Sequence, residues 1–541
     1  MPPAPRPLPP IPDLLSATPA VRIDLAALRQ TLVFAFAMGG SVEAFEEALA
    51  GATLPASAWD RAHFGRDLFL DDLVERCLPV RIKGRACRVT TPYLLRAIAE
   101  PPRDPAELAF RHAVLSELTT GDTARSDLES VYLEIVKLRT LLCAERIGVR
   151  WLRRLEILRA VHQVFAALAG SFEGASSGLS RLRAFGTAVC EGEAYGRLDA
   201  LLDHEAHLGT VDLRVRVGAD GELRTFQIVA VRENHENPFH RSPLGRLWAR
   251  IRLLLRGYRM SGGEVLERLF DEVFTGLEGS VGLLFQLLGD LEFYLAGLGF
   301  RDLAGEHGLA VCLPELGPVG EGGMRFRGLF NPLLLGEKTT PVPCDLKTAQ
   351  AASVVIVTGP NSGGKTRLLQ AIALTQLLGE AGLFAPAAAA RVPRASGLFV
   401  SLVEESRADQ PEGQLGMELM RIRRMFEQLD VGSLVLLDEL CSGTNPSEGE
   451  EIARLVISLL PELEAQVFVT THLLQFAAHL AEEKPIPRLE FFQVEIDARE
   501  RPTYAFVPGV AKTSLAGKTA ARLGVTRDEL LALIAARKRA P

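Results

Sequence analysis

The fold class this sequence predicts is an α/β domain with a parallel sheet, preceded by a mostly α-helical region that carries one small β-hairpin. Three observations predict it. From about residue 325 onward, apolar runs of strand length alternate with helical stretches, the pattern that builds parallel sheets. Between about 100 and 170, apolar residues recur at steps of three and four over many turns. At 211–232, two runs alternate apolar and polar residues around Asp220-Gly221, a hairpin turn.

The chain has 541 residues, enough for several domains and a large core. It opens on "MPPAPRPLPPIP", which has no apolar centre and reads as a loose polyproline-like tail rather than a secretory leader. A net charge of −7, from 60 Lys+Arg and 67 Asp+Glu, excludes a chain coated in positive charge, so any nucleic-acid contact needs a local basic patch. Seven cysteines at wide spacings, with no C-x-x-C pair, point to reduced thiols and a cytoplasmic location. No membrane partner is expected. The most apolar stretch, 370–390, is interrupted by Gln376, Glu380, Gly382 and Pro386 and suits a buried helix better than a span.

Three regions follow from these patterns. Residues 1–95 mix helical and short extended segments and carry no chemical signature. Residues 96–324 are the helical region. After "EPPRD" a helical repeat begins beyond Asp104. Ser126 and Glu129 have capping-box spacing. From there Leu128, Val131, Ile135, Leu138 and Leu142 form a stripe that continues through Leu152, Leu155, Leu158, Val161, Phe165 and Leu168, with Gly148 as a candidate break. Such a length suits a strut or lever. The hairpin falls at about 205–240. Helical spacing returns at 242–260, with Leu244, Leu247, Ile251, Leu254 and Tyr258 on one face and Arg252, Arg256 and Arg259 on another, and again at 264–298. The hairpin thus stands at the far end of an arm that goes out and returns. Residues 325–541 are the α/β region.

That region holds "ASVVIVTGPNSGGKTRLLQAIAL": a buried strand, a glycine-rich turn and a helix. The spacing G-x-x-x-x-G-K-[ST] runs from Gly359 through Pro360, Asn361, Ser362, Gly363 and Gly364 to Lys365 and Thr366. Glycines let backbone N–H groups curl toward a phosphate, the helix start adds its positive end, the lysine reaches the β and γ phosphates, and the threonine hydroxyl ligates magnesium. A P-loop of this kind needs a second carboxylate for the metal. "SLVLLDEL" supplies Asp438 at the end of an apolar strand, followed by Glu439 to orient or deprotonate a water. A third strand, "AQVFVTTH", ends in His472, placed to sense the γ-phosphate. Gly443, Asn445 and Pro446 put the segment between the second and third strands on a loop. ATP and Mg²⁺ are the cofactors these residues call for.

"TGPNSGGKT", "LLDELCSGTNPSEG" and "TTH", in this order, resemble the ATPase domain of the MutS family. "YAFVPGVAKTSLAGKTAARLGV" is similar to the segment by which family members pair their ATPase domains, with the small residues Ser514, Ala516, Ala520 and Gly524. "FRGLFNPLLL" resembles the strand leading into that domain. "PPRDPAELAFRHAVLSEL" is similar to the start of the family's core and lever domains. The resemblance is strong over about 325–541, weaker over about 96–325 and absent before that. It implies an ABC-type P-loop ATPase domain joined to helical core and lever domains, working as a homodimeric clamp around DNA. By that resemblance the loop from Gly359 to Thr366 binds ATP, Thr366 and Asp438 hold magnesium, Glu439 positions water and His472 reports on the γ-phosphate. The hairpin occupies the place of the family's DNA-touching clamp, with Arg214, Arg216, Arg224 and Arg232 as its cations; a solvated strand face accounts for each of these equally well.

Two departures shape the expectation. Mismatch sensors insert a phenylalanine followed two residues later by a glutamate; Phe45 and Glu47 have that spacing but sit on an apparent helix without the surrounding motif, and the chain is too short for that domain. The family's serine-containing signature corresponds to "PEGQLGMELMRI", where Glu418 matches, Gly413 offers only backbone, and Ser-Thr is missing. The expected function is therefore a DNA-binding ATPase acting on mismatched, branched or distorted DNA. Alternatives are a recombination-suppressing or ribosome-rescue ATPase of the related bacterial branch, whose small nuclease-like domain has no room at this carboxy terminus, and a nucleotide-bound scaffold with little turnover. A transporter ATPase has no use for the long helical arm.

Overall fold

A computed structural model describes residues 9–144, 150–207, 210–217, 223–232, 262–335, 340–360, 362–402, 414–440, 445–483, 486–499, 501–512 and 527–539. The chain divides into two compact units that interleave along the sequence: 1–55, 82–94 and 109–295 form one, and 56–81, 95–108 and 296–541 the other. The sequence pattern suggests three consecutive spans; in the structure, residues from before position 95 contribute to both units.

The first unit is mostly helical. The Pro105–Thr120 helix starts after Asp104, whose Oδ1 accepts from the Ala106 N–H at 2.9 Å. The expected long helix, with its candidate break at Gly148, is two helices, Asp122–Cys143 and Arg150–Gly170. They run back along each other: Lys137 donates to Gln163 at 2.7 Å, and Arg153 donates to the carbonyls of Leu141 and Leu142 at 3.1 and 3.0 Å. The apolar stripe fills the seam, with Leu128, Ile135, Leu158 and Phe165 fully buried, while Leu152 faces outward. The strut is thus a helical hairpin, because a stripe wide enough to bury needs a partner and the neighbouring helix supplies it. The capping box is also corrected: Ser126 lies inside the first of these helices, which is capped by Gly121, and Glu129 pairs with Arg125 at 2.9 Å instead.

The amino-terminal segment is held by a buried charged network. Arg22 donates to the Tyr93 hydroxyl at 2.7 Å, Tyr93 donates to Asp290 at 2.7 Å, and Arg22 also pairs with Asp290 and with Asp13. Nearby, Glu292 is fully buried and accepts from the Thr90 N–H at 2.7 Å. Burial pushes its carboxyl up to about 7, against the pull of that N–H and of Arg139, 3.9 Å away. Phe45 packs inside this unit, stacked on Phe285 with centroids 4.4 Å apart, so it is a core residue. The hairpin forms as expected, Thr210–Val217 antiparallel to Leu223–Arg232. The expected helix at 242–260 lies outside the described residues.

The second unit is an α/β fold. Its main sheet has the order Leu398–Ser401, Leu434–Leu437, Gln466–Thr471, Val354–Thr358, Leu489–Ile496, Pro502–Pro508; the first five strands are parallel and the last is antiparallel. Val354–Thr358 and Gln466–Thr471 are buried at every position, as expected for strands covered on both faces. Alternate residues of the sheet, among them Ile356, Val435 and Val467, pack with Val456, Ile457, Phe476 and Leu480 from the Pro446–Leu459 and Leu474–Glu483 helices. The Lys365–Ala381 helix packs on Leu434–Leu437 and Gln466–Thr471 and ends at Gly382, which adopts the left-handed conformation that closes helices. Its burial agrees with the reading of a buried helix over 370–381, but Gly382 ends the helix, and the expected span to 390 runs into the Ala389–Pro393 strand. Among the described residues one helix, Glu278–Glu306, most of it in the first unit, is long and apolar enough to cross a membrane, and its apolar window is wholly buried in the protein. A second sheet orders Glu315–Gly317, Ala389–Pro393, Arg325–Leu329 and Cys344–Lys347.

Candidate functional site

The three motifs come together at the carboxyl ends of adjacent parallel strands, where open α/β sheets bind ligands. Val354–Thr358 leads into the glycine-rich loop, and Leu434–Leu437 ends beside Asp438. Gln466–Thr471, which lies between them, ends beside His472.

The loop needs its glycines for two reasons. Gly359 and Gly363 lie against Val494, where an added Cβ would come within 2.6 and 2.8 Å of its Cγ2. Gly364 has a φ of +84° and caps the Lys365–Ala381 helix without a side-chain acceptor. The first-turn N–H groups of that helix have no intrahelical partner and carry its positive end toward the loop.

Lys365 is buried, and its Nζ donates to the carbonyls of Gly359 and Pro360 at 3.0 and 3.2 Å. Burial lowers its pKa, while Glu439 and Asp438 oppose that shift by favouring the charged form. Thr366 donates its hydroxyl to Asp438 Oδ2 at 2.5 Å. Thr470 donates to the other carboxylate oxygen, and its own Oγ1 accepts from the Glu439 N–H at 3.0 Å. Glu439 sits at φ +51°, a conformation that costs a non-glycine residue about 1 kcal/mol or more and is held here by these neighbours. Its two carboxylate oxygens face different partners: Oε1 is 3.9 Å from Lys365 Nζ, and Oε2 is 3.5 Å from His472 Nδ1.

A cation, two carboxylates, a hydroxyl and an imidazole thus converge on a backbone cradle. This donor set fits a polyphosphate with a hard divalent cation: oxygen ligands for the metal, and amide and ammonium donors for phosphate oxygens.

The structure brings together Gly359, Pro360, Ser362, Gly363, Gly364, Lys365, Thr366, Asp438, Glu439 and His472. Asn361, Gly413, Gly443, Ser514, Ala516, Ala520 and Gly524 lie outside the described residues. The Gln414–Gln428 helix carries Glu418, whose side chain is likewise outside them. Arg214 and Arg216 lie on one strand of the hairpin, Arg224 and Arg232 on the other; their side chains are also outside the described residues. Asn445 caps the Pro446–Leu459 helix, with its side chain accepting from Ser447. Thr470 is a member of the site that sequence reasoning does not single out. The doubled threonine before His472 is the available signal, since a hydroxyl at a strand end beside two carboxylates has obvious partners. Val494, which fills the space the loop glycines leave, gives no signal in a sequence.

The fold and this site go with a similarity to the MutS family over about the carboxy-terminal third of the chain. Residues 355–532 match MutS domain V. Relatives named Endonuclease MutS2 align over part of the chain: that of Thermomicrobium roseum is 35% identical over 207 residues, 38% of this chain and 26% of the relative. That of Pelotomaculum thermopropionicum is 32% identical over 271 residues, 49% of this chain and 32% of the relative. The match therefore spans about a third or less of these curated relatives.

Proposed function

We propose that the chain is an ATPase that binds ATP and Mg²⁺ at this site and couples them to a dimeric clamp on mismatched, branched or distorted DNA. The observation that carries the reading is the convergence of Lys365, Thr366, Asp438, Glu439 and His472 on one glycine cradle.

In this reading Lys365 and the first-turn N–H groups of its helix hold the β and γ phosphates; Lys365 exchanges its two carbonyl partners for phosphate oxygens. Thr366 and Asp438 hold the metal, which when bound draws charge off the triphosphate. Glu439 aims its carboxylate at the attacking water and accepts its proton, and His472 restrains Glu439 from the far side. The free thiols among the described residues agree with a cytoplasmic setting.

Binding of ATP at fixed Mg²⁺, followed by phosphate release, tests the site. Lys365→Ala is expected to weaken binding at least a hundredfold, and an unchanged affinity refutes the assignment. Filter binding of homoduplex, mismatched and junction DNA at stated salt, with and without ATP, tests the clamp; equal weak affinity for all three refutes it. Sedimentation with and without nucleotide tests the homodimer.

The likeness to proteins named MutS2 favours a second reading, in which the same engine acts on recombination intermediates or on ribosomes. Co-sedimentation with ribosomes separates these. A nucleotide-bound scaffold would show the same near-zero turnover before and after Glu439→Gln.

A further inference from the structure

Residues 56–81 precede the family-matched span by hundreds of positions, yet they belong to the same compact unit as the candidate site. Residues 59–67 of this stretch lie along Leu398–Ser401, the edge strand of the main sheet. Trp59 Nε1 donates to the Ala395 carbonyl at 3.1 Å, and the His63 ring tilts against Phe399 with centroids 6.1 Å apart.

Asp67 does more than cover this edge. Its Oδ1 accepts a charge-assisted hydrogen bond from the Leu402 N–H at 2.6 Å, and Arg421 of the Gln414–Gln428 helix stands 3.6 Å from the same oxygen. One residue back, the Ser401 carbonyl accepts from the Asp438 N–H at 2.9 Å. Asp438 in turn accepts from Thr366 at the start of the Lys365–Ala381 helix. On that helix, one turn further, Gln370 Nε2 donates to the Asp67 carbonyl at 3.3 Å. The links form a closed ring: Asp67, Leu402–Ser401, Asp438, Thr366, Gln370 and back to Asp67. One residue therefore grips both the strand end that seats Asp438 and the helix that seats Thr366.

We propose that Asp67 is a positioning residue that sets the spacing between Thr366 and Asp438 and so tunes the site toward magnesium rather than toward the nucleotide itself. The inference rests on the reading of the site as a Mg–ATP site. Phosphate recognition rests mainly on backbone N–H groups and Lys365, whereas the side-chain bonds of the ring meet at the Thr366–Asp438 pair, so a loosened ring affects the metal pair first.

The test is a fluorescence titration of ATP binding to the full chain, first without metal and then with Mg²⁺ varied at fixed ATP. For Asp67→Asn, metal-free affinity is expected to stay within about twofold while the half-saturating Mg²⁺ concentration rises about fivefold, the loss expected when a charge-assisted bond becomes a neutral one. Gln370→Glu keeps the acceptor that Asn331 and Arg367 use, at 2.9 Å each, removes the donor to Asp67 and adds a negative charge. It is expected to raise the Mg²⁺ requirement as well, although its added negative charge alone would lower it. Hydrogen exchange in both variants is expected to quicken at Leu402 and Asp438 and to stay unchanged at Ile356. An unchanged Mg²⁺ half-point in both variants, or a parallel loss of metal-free binding, overturns the inference. Failure of the unaltered protein to bind ATP under either condition overturns the reading of the site, and this inference with it.

Discussion

Glu292 makes the stability of the helical unit depend on pH in a way that one substitution should erase. An ordinary glutamate has a pKa of 4.5, and burial holds this one at about 7. That is a difference of roughly 300-fold in proton affinity, or about 3 kcal/mol. The folded state binds the proton more tightly than the unfolded chain. The stabilisation is therefore fully present below pH 4.5, declines as pH rises, and is gone above about 7. A glutamine side chain in its place would copy the protonated form and keep an acceptor for the Thr90 N–H. Glu292→Gln should leave stability nearly unchanged at pH 4 and raise it by about 3 kcal/mol at pH 8. Hydrogen exchange of peptides within 278–295, measured at both pH values after correction for intrinsic rates, reads this locally and does not require the two units to unfold together. A difference between variant and parent that is flat with pH, or that favours the variant more in acid, would refute the assignment of a buried, easily protonated carboxyl.

Further outcomes follow from the site and the core. Glu439→Gln should retain ATP binding within a few-fold and lose at least about a hundredfold in phosphate release, measured in single turnover. Gly359→Ala should lose about 1–3 kcal/mol of stability in denaturant melts, because its Cβ meets Val494 and its φ is +142°; adding Val494→Ala should recover part of that loss, and no recovery would place the strain elsewhere. Ile356→Ala, at a fully buried position between two parallel neighbours, should cost about 2–5 kcal/mol and be read from the same melts.

What can be read from the sequence is whatever is local. The parallel strands announce themselves because Val354–Val357 and Leu434–Leu437 are unbroken apolar runs, and the loop because its glycines and lysine are contiguous. That Asp122–Cys143 and Arg150–Gly170 run back along each other is not legible, since the sequence offers only a candidate break at Gly148 and periodicity gives a helix face but not its partner. The role of residues 56–81 is invisible for a sharper reason: the Leu402 N–H and its Asp67 acceptor are 335 positions apart, and neither belongs to a motif. Thr470 passes as half of "TT", although its hydroxyl ties Asp438 to the backbone of Glu439.

The order of strands in the main sheet also bears on how the chain is made. Val354–Thr358 is the earliest strand of that sheet to be synthesised, yet it ends up between Gln466–Thr471 and Leu489–Ile496. Neither flank exists until about a hundred further residues have left the ribosome, and all these pairings are non-local, so the loop closures they need are slow. During translation this strand, apolar from Val354 to Val357, has no sheet to enter. A nascent chain halted before residue 496 would expose an aggregation-prone edge, the kind of surface that holdase chaperones bind.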